Sequence, residues 1–172
     1  MYYADIKYPD VANGLGVRVS LFVSGCRRHC LECFNKDAQD FKYGKLFTST
    51  TITEIENKLK LPQVKGLSIL GGEPMELENV IELLPVCQYF KTYYKDKDIW
   101  CYTGFTYEEL ISRNHLATHK LLEYIDVLVD GDFKKDLKDL SLKFRGSSNQ
   151  RIIDVQKTLK TNKVQLVEEL MI

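Results

Sequence analysis

Short apolar runs alternate along the chain with longer stretches in which apolar residues recur every three or four positions. Three runs have strand length and are rich in β-branched or aromatic residues: Val17–Val23, 66–70 and Asp98–Tyr102. Runs at 125–129 and 151–155 have the same character. Glycine lies within two residues after each of the first four runs, as is common where strands end. The pattern therefore predicts five strands.

The longer stretches predict three helices, at 51–61, 77–94 and 106–114. Thr51 or Thr53 is a suitable N-cap for the first, and Pro85 is expected to kink or split the second. The third begins with a Thr-x-x-Glu capping box. Residues 156–172 follow no clear period. Strands that alternate with helices predict βαβ units and a parallel sheet.

The least common residues of the chain come directly after predicted strands. Four segments share this position: the loop with three cysteines after Val23, Gly71-Gly72-Glu73-Pro74, Thr103-Gly104 and Asp130-Gly131. Because the carboxyl ends of parallel strands lie at one edge of a sheet, where ligands bind, we expect the four segments to meet there. Their meeting favours an enzyme. The alternative is that glycine-rich turns simply end the strands.

Length and charge narrow the class of protein. A chain of 172 residues corresponds to roughly one domain. Its 24 Lys and Arg residues balance 24 Asp and Glu residues, which argues against an electrostatic nucleic-acid or membrane-surface binder. No run of 18 apolar residues occurs, and the first residues lack the basic-then-apolar pattern of a signal peptide. We therefore expect a cytoplasmic protein with no nucleic-acid and no membrane partner.

Three of the five cysteines form the cluster Cys26-x3-Cys30-x2-Cys33. In a reducing cytosol, clustered thiols are more often metal ligands or redox groups than disulfides. Three thiolates on a short loop can bind three corners of a cubane iron–sulfur cluster and leave one iron open. A structural zinc site needs a fourth ligand, for which His29 is the local candidate. The other two cysteines, Cys87 and Cys101, lie in apolar stretches and are predicted to be buried.

The order of these motifs resembles that of a known family. Cys-x3-Cys-x2-Cys after one strand and Gly-Gly-Glu-Pro after the next are similar to the radical S-adenosylmethionine enzymes. Within that superfamily, about residues 1–155 resemble the activating proteins of anaerobic (class III) ribonucleoside-triphosphate reductases. The further motifs that carry the resemblance are Asn13-Gly14-Leu15-Gly16-Val17-Arg18, Phe22-Val23-Ser24-Gly25-Cys26, Asp98-Ile99-Trp100, Tyr102-Thr103-Gly104, Val127-Leu128-Val129-Asp130-Gly131 and Arg145-Gly146-Ser147-Ser148-Asn149-Gln150-Arg151. Leu15 departs from the pattern, since many relatives have Pro there.

The resemblance implies a set of site residues. A [4Fe–4S] cluster would be bound by Cys26, Cys30 and Cys33, and its fourth iron would be chelated by the amino and carboxylate groups of S-adenosyl-L-methionine. Glu32 and Phe34, which flank Cys33, would line the adenosyl end of this cofactor, and Gly72 would contact its methionine end. Further cofactor contacts are implied for Gly71, Glu73, Thr103 and Asp130. Glu73 has the alternative role of fixing its own turn. Arg145, Asn149 and Arg151 would dock the partner, organise the rim of the site, or form an ordinary solvated turn.

The resemblance also implies a fold and a reaction. The fold would be α/β, an incomplete, open (β/α) barrel of the radical S-adenosylmethionine type with mainly parallel strands, forming one domain over 1–172. Residues 156–172 would be a tail outside the resemblance. An electron donor such as flavodoxin would reduce the cluster, the cofactor would be cleaved to methionine and a 5′-deoxyadenosyl radical, and this radical would take a glycine hydrogen from the large reductase subunit.

Other functions stay open at this point. One is a radical enzyme that acts on another glycyl-radical enzyme or on a small molecule. Another is a protein without enzymatic activity, either an electron carrier of ferredoxin type or a zinc-stabilised binding module. A carrier normally has four cysteine ligands and needs no Gly-Gly-Glu-Pro turn.

Overall fold

The computed structural model of the chain describes residues 1–31 and 33–172. Its strands are β1 (Tyr2–Asp10), β2 (Val17–Val23), β3 (Lys45–Leu46), β4 (Val64–Gly71), β5 (Asp98–Tyr102), β6 (Val127–Asp130) and β7 (Arg151–Asp154). Its helices are α1 (Ser49–Leu59), α2 (Leu77–Tyr93), α3 (Tyr107–Ser112), α4 (Leu116–Tyr124) and α5 (Val155–Thr161). Over the described residues, the seven strands form one open sheet in the order β3-β1-β2-β4-β5-β6-β7.

The sheet is parallel in its centre and antiparallel at its edges. Strands β2, β4, β5 and β6 pair in parallel, as predicted. Strands β1, β3 and β7 pair antiparallel. The elements β1, β3, α4 and α5 were not predicted from the sequence. The connection between β1 and β2 has only six residues, which is too short for a parallel crossover. The expectation of an open sheet with mainly parallel strands therefore holds for the centre of the sheet and is wrong for its antiparallel outer strands.

Two helices differ from the prediction, α1 in its N-cap and α2 in its continuity. Helix α1 begins after Thr48, which is its N-cap, while Thr51 is the third residue of the helix and the reciprocal partner of Thr48 in the capping box. Helix α2 continues through Pro85 and is not split. The carbonyl that loses its partner to Pro85 belongs to Ile81, a residue that is 61% exposed, so the missing hydrogen bond lies on the solvent-facing side of α2. The Thr106 capping box is confirmed at the start of α3.

Neighbouring strand residues alternate between two hydrophobic clusters. Ile99 and Cys101 belong to the larger cluster, whereas Trp100 belongs to the smaller one. Since successive side chains of a strand point to opposite faces, the two clusters lie on opposite faces of the sheet. The described helices α1 to α5 all bury side chains in the larger cluster, at Ile55, Leu83, Leu110, Leu121 and Val155. The helices therefore cover one face, and Cys87 and Cys101 are buried there as predicted.

The C-terminal segment covers part of the second face. Val167 N donates to Ile152 O at 2.9 Å, and Leu170 packs with Trp100 in the smaller cluster. Arg145 Nη2 donates to Met171 O at 2.6 Å and so holds the end of the chain. Residues 156–172 are thus α5 and a return segment that shields the sheet.

Arg18 joins two of the sequence motifs on this second face. Its side chain is fully buried and donates to Ser68 Oγ at 2.6 Å and to Asp98 Oδ1 at 2.5 Å. It also stacks over Trp100 at 5.3 Å. A buried cation needs such partners. Arg18 and Asp98 lie at the amino ends of β2 and β5, opposite to the end from which the cysteine loop follows. The motifs at 13–18 and 98–100 are therefore structural and lie away from the cysteines.

No helix described by the structure is both long and apolar enough to cross a membrane.

Candidate functional site

The segments that follow β2, β4, β5 and β6 meet at one edge of the sheet, as predicted. Glu73 N donates to Gly25 O at 2.9 Å, which ties the turn after β4 to the cysteine loop. Thr103 Oγ1 donates to Glu73 Oε1 at 2.7 Å, and Thr103 N donates to Val129 O at 2.9 Å. Hydrogen bonds therefore connect the four segments directly.

The three cysteines of the loop are free thiols of intermediate exposure. Cys33 N donates to Cys30 O at 3.1 Å, which closes a turn between these two. Within residues 1–31 and 33–172, no three His, Cys, Asp or Glu side chains are grouped as ligands of a single metal ion. A cubane cluster holds its ligand sulfurs at separate corners, so three thiols spaced along one loop fit such a group. His29, the candidate fourth zinc ligand, has its Nδ1 3.0 Å from Gln39 Oε1.

Burial disfavours the thiolate form of two of these thiols. Burial raises the pKa of Cys26. Burial, followed by the nearby Asp132 carboxylate, raises the pKa of Cys30 to about 11. Metal ligation requires the thiolate, so binding of iron at these positions must release protons.

Side chains at the start of α2 hold the backbone of the first part of the cysteine loop by hydrogen bonds. Arg27 N donates to Glu76 Oε1 at 2.8 Å, and Asn79 Nδ2 donates to Ser24 O at 3.0 Å. Gly25 has a φ of +98°, and a Cβ there would lie 2.3 Å from the Phe41 ring. Glycine is therefore required immediately before the first cysteine, because a side chain would meet both strain and a collision.

Glu73 braces the rim of the site. Its side chain is buried, and its carboxylate accepts hydrogen bonds from Met75 N at 2.8 Å, Thr103 Oγ1 at 2.7 Å and Gly104 N at 2.8 Å. Burial raises the pKa of Glu73 to about 7, while these three donors act in the opposite direction. The geometry favours the turn-fixing role for Glu73, and a cofactor contact stays a prediction for Glu73 and Thr103.

Asp130 and the Arg-Gly-Ser-Ser-Asn-Gln-Arg motif organise the segment after β6. Asp130 accepts from Arg151 Nε at 3.0 Å and from Tyr107 N at 2.8 Å, so its carboxylate is engaged by the protein. Asn149 Nδ2 donates to Asp132 O at 2.8 Å, and Gln150 Nε2 donates to the carbonyl of Gly131 at 3.0 Å. Arg145 holds the C-terminus, as described above. Of the alternatives predicted for this motif, organisation of the rim agrees best with these contacts.

A cavity of about 580 Å³ opens beside the cysteine loop. Cys33, Phe34 and Gly71 line it on the loop side, and β1 and β2 supply Asp5 and Phe22 on the other. The Phe34 side chain is 98% exposed, which leaves its ring free to pack on a ligand. Glu32, also predicted to contact the cofactor, lies outside the described residues.

Gly72 follows Gly71, which lines the cavity, and packs against the cysteine loop. A Cβ at this position would be 2.7 Å from both Ala38 O and Gly25 O. Its missing side chain therefore allows close packing against the backbone of the cysteine loop. A contact with the methionine end of a cofactor stays a prediction.

Sequence reasoning missed four residues of the site: Arg28, Glu76, Asn79 and Asp132. Asn79 carries a weak signal, since an amide interrupts an otherwise apolar helical stretch. The other three are charged residues near turns, where charge is common, and only their tertiary contacts distinguish them.

Comparisons with known proteins agree with this chemistry. A family model described as "4Fe-4S single cluster domain" matches residues 12–153. The anaerobic ribonucleoside-triphosphate reductase-activating protein of Haemophilus influenzae is 44% identical over 154 residues, which cover 88% of this chain and 97% of that protein. The proteins of the same name from Escherichia coli K12 and Enterobacteria phage T4 are 42% and 36% identical, over 83% and 86% of this chain and 92% and 91% of their own lengths. The chain therefore belongs to the 4Fe-4S single cluster domain family and, within it, to the anaerobic ribonucleoside-triphosphate reductase-activating proteins.

Proposed function

We propose that this chain activates an anaerobic ribonucleoside-triphosphate reductase by generating a glycyl radical on its large subunit, with a [4Fe–4S] cluster and S-adenosyl-L-methionine as cofactors. Family membership supports the reaction and the partner. The observation that carries the proposal is the cysteine loop. It contains three free thiols, and its backbone at Gly25 O accepts a hydrogen bond from Glu73 N in the turn at 71–74.

Cys26, Cys30 and Cys33 are the proposed cluster ligands. When bound, the cluster and S-adenosyl-L-methionine supply the one-electron cleavage chemistry that removes a hydrogen from the target glycine. The protein's own contribution is position. Glu73 and Asn79 fix the backbone at Ser24 and Gly25, before the first ligand, and Glu76 accepts from Arg27 N, after it. Three protein ligands leave one iron open for the cofactor.

The cavity beside Cys33 is the proposed cofactor pocket. The exposed ring of Phe34 would pack on the adenine, and the backbone at Gly71 and the adjoining Gly72 would border the methionine end. Glu32 is a further proposed contact to the adenosyl end. Thr103 and Asp130 form hydrogen bonds within the protein that support the rim of the site. We propose that both residues also border the ribose of the cofactor.

The open sheet supports the radical S-adenosylmethionine type of barrel, with the reductase closing the side that the helices leave uncovered. Such closure would keep water from the site during the reaction. We propose a cytoplasmic location, because clustered free thiols suit a reducing compartment. We further propose that residues 1–172 form one domain and that a donor such as flavodoxin supplies the electrons.

The test is anaerobic reconstitution with iron and sulfide, followed by reduction and addition of S-adenosyl-L-methionine. We expect about one [4Fe–4S] cluster per chain, an electron paramagnetic resonance signal that changes with the cofactor, and release of 5′-deoxyadenosine. Cys26→Ala, Cys30→Ala and Cys33→Ala should each lose the cluster. Cys87→Ala, a buried cysteine on the helical face, is the control and should keep it.

Adding the reductase should then produce the doublet of a glycyl radical on the reductase. Cofactor cleavage without this doublet would refute the proposed partner and favour another glycyl-radical enzyme or a small molecule. A colourless zinc protein that never cleaves the cofactor would refute the radical reaction altogether.

A further inference from the structure

Arg28 links the cysteine loop to two other segments of the rim. Its Nε donates to Asp132 Oδ1 at 2.5 Å and its Nη2 donates to Asp132 Oδ2 at 2.6 Å, a two-point ion pair between the loop and the segment after β6. The guanidinium also stacks on the Phe105 ring at 4.3 Å. A Cβ at Gly104 would lie 2.5 Å from Arg28 Nε, so glycine at 104 makes room for the arginine.

Asp132 places a negative charge beside one of the cysteines. The Cys30 thiol donates to Asp132 Oδ1 across 3.6 Å. Both carboxylate oxygens of Asp132 accept hydrogen bonds from the Arg28 guanidinium, so this carboxylate is the anionic partner of an ion pair. Asn149 anchors the Asp132 backbone, so the pair is held at both ends. The side chains of Arg28 and Asp132 are 17% and 39% exposed, and their mutual attraction is therefore only partly screened.

We infer that Arg28 and Asp132 are a positioning pair that holds Cys30 in place for the cluster and balances the charge beside it. The inference rests on the proposed function in one respect, the assignment of Cys30 as a cluster ligand. Reduction adds an electron to a cluster, so a nearby anion disfavours it and a nearby cation favours it. In the intact pair, the two charges oppose each other. Removal of one partner leaves the other uncompensated close to Cys30.

The two partners therefore have opposite predicted effects on the reduction potential of the reconstituted cluster. Arg28→Gln leaves the Asp132 anion unpaired and should lower the midpoint potential, measured by redox titration of the electron paramagnetic resonance signal. Asp132→Asn leaves the guanidinium unpaired and should raise it. The double variant Arg28→Gln/Asp132→Asn should return toward the wild-type value. A role limited to holding the loop in shape predicts no such difference of sign.

Three further variants separate charge from position. Arg28→Lys keeps the positive charge, so its midpoint potential should lie closer to the wild-type value than that of Arg28→Gln. Gly104→Ala forces Arg28 to move without changing any charge and should reduce iron retained per chain. Arg113→Gln is the matched control, because Arg113 stacks on Phe105 at 3.7 Å and donates to Met75 O. It should leave potential and iron content unchanged.

The outcomes distinguish this inference from the proposed function. If the wild-type chain assembles no cluster, or Cys30→Ala retains a complete one, the proposed function fails. If the wild type assembles a cluster but Arg28→Gln and Asp132→Asn shift its potential in the same direction or not at all, the positioning pair is refuted. If Arg28→Gln retains no cluster, the double variant decides: restored iron supports the pair, and unrestored iron overturns it.

Discussion

Replacement of Gly72 by alanine tests whether the turn after β4 is packed against the cysteine loop in the protein itself. A Cβ at 72 would lie 2.7 Å from Ala38 O, 2.7 Å from Gly25 O and 3.0 Å from Gly25 N. All three atoms belong to the backbone, so relief of the contact requires the loop to move. The φ of Gly72 lies outside the left-handed region, which leaves the collision as the cause of any effect.

The expected cost combines two contributions. Overpacking in a tight site costs about 1–3 kcal/mol. The displacement also weakens the hydrogen bonds from Gly72 N to Val23 O at 2.7 Å and from Glu73 N to Gly25 O at 2.9 Å, each worth about 0.5–1.5 kcal/mol. We expect Gly72→Ala to lower the free energy of unfolding by about 2–4 kcal/mol.

The assay is urea unfolding of the reduced, iron-free chain, followed by the fluorescence of Trp100, the single tryptophan. Gly146→Ala is the control, because its Cβ would meet the Phe133 side chain at 3.0 Å and a ring can move aside. Its cost should stay below about 1 kcal/mol. If Gly72→Ala unfolds at the wild-type urea concentration and loses only affinity for S-adenosyl-L-methionine, the glycine serves the cofactor and the packing argument is wrong.

Three further predictions concern the rim, a helix cap and the C-terminal segment. Because the pKa of Glu73 is raised to about 7 from 4.5, the folded chain keeps a proton that the unfolded chain loses in this window. The free energy of unfolding should therefore fall as pH rises from 4.5 to 7, by at most about 3 kcal/mol, as measured by urea unfolding at several pH values. Glu73→Gln cannot titrate and should lose this pH dependence; an unchanged pH dependence in the variant would show that the reasoning is wrong. Thr106→Ala removes the hydrogen bond from Glu109 N and should cost about 0.5–2 kcal/mol, whereas Thr53→Ala on the exposed side of α1 should cost less. Leu170→Ala should shift Trp100 emission to longer wavelength, and Ile172→Ala, at an 85% exposed position, should not; equal spectra for both would contradict the packing of the C-terminal segment.

The central strands were predictable because their sequences carry local information. β2 and β5 have the predicted bounds, and β4 and β6 differ from prediction by one or two residues at each end. Their apolar residues are needed on both faces of a buried sheet, so the runs are continuous. Strand β1, which β3 covers only at Tyr2 and Tyr3, was missed because Asp5, Lys7 and Pro9 interrupt its apolar positions, as is usual where one side of a strand meets solvent.

The sequence predicts the proposed cluster ligands of the candidate site better than the residues that hold the cysteine loop in place. Cysteine spacing is a local property, and three thiols within eight residues lie together in any fold of the loop. The contacts that hold the loop come from far along the chain: Asp132 is 104 residues from Arg28, and Glu76 is 49 residues from Arg27. Spacing alone contains no signal for such pairs.

The sequence by itself determined the identity of the central strands, the capping box at Thr106 and the chemistry of the cysteine loop, since each depends on neighbours within a few residues. Only the tertiary structure decided that β1 and β7 run antiparallel, that the last residues cover Trp100, and that Arg28 reaches Asp132. The physical reason is that strand order and register bring distant residues together, and the free energy of those contacts is available only when the whole sheet has formed.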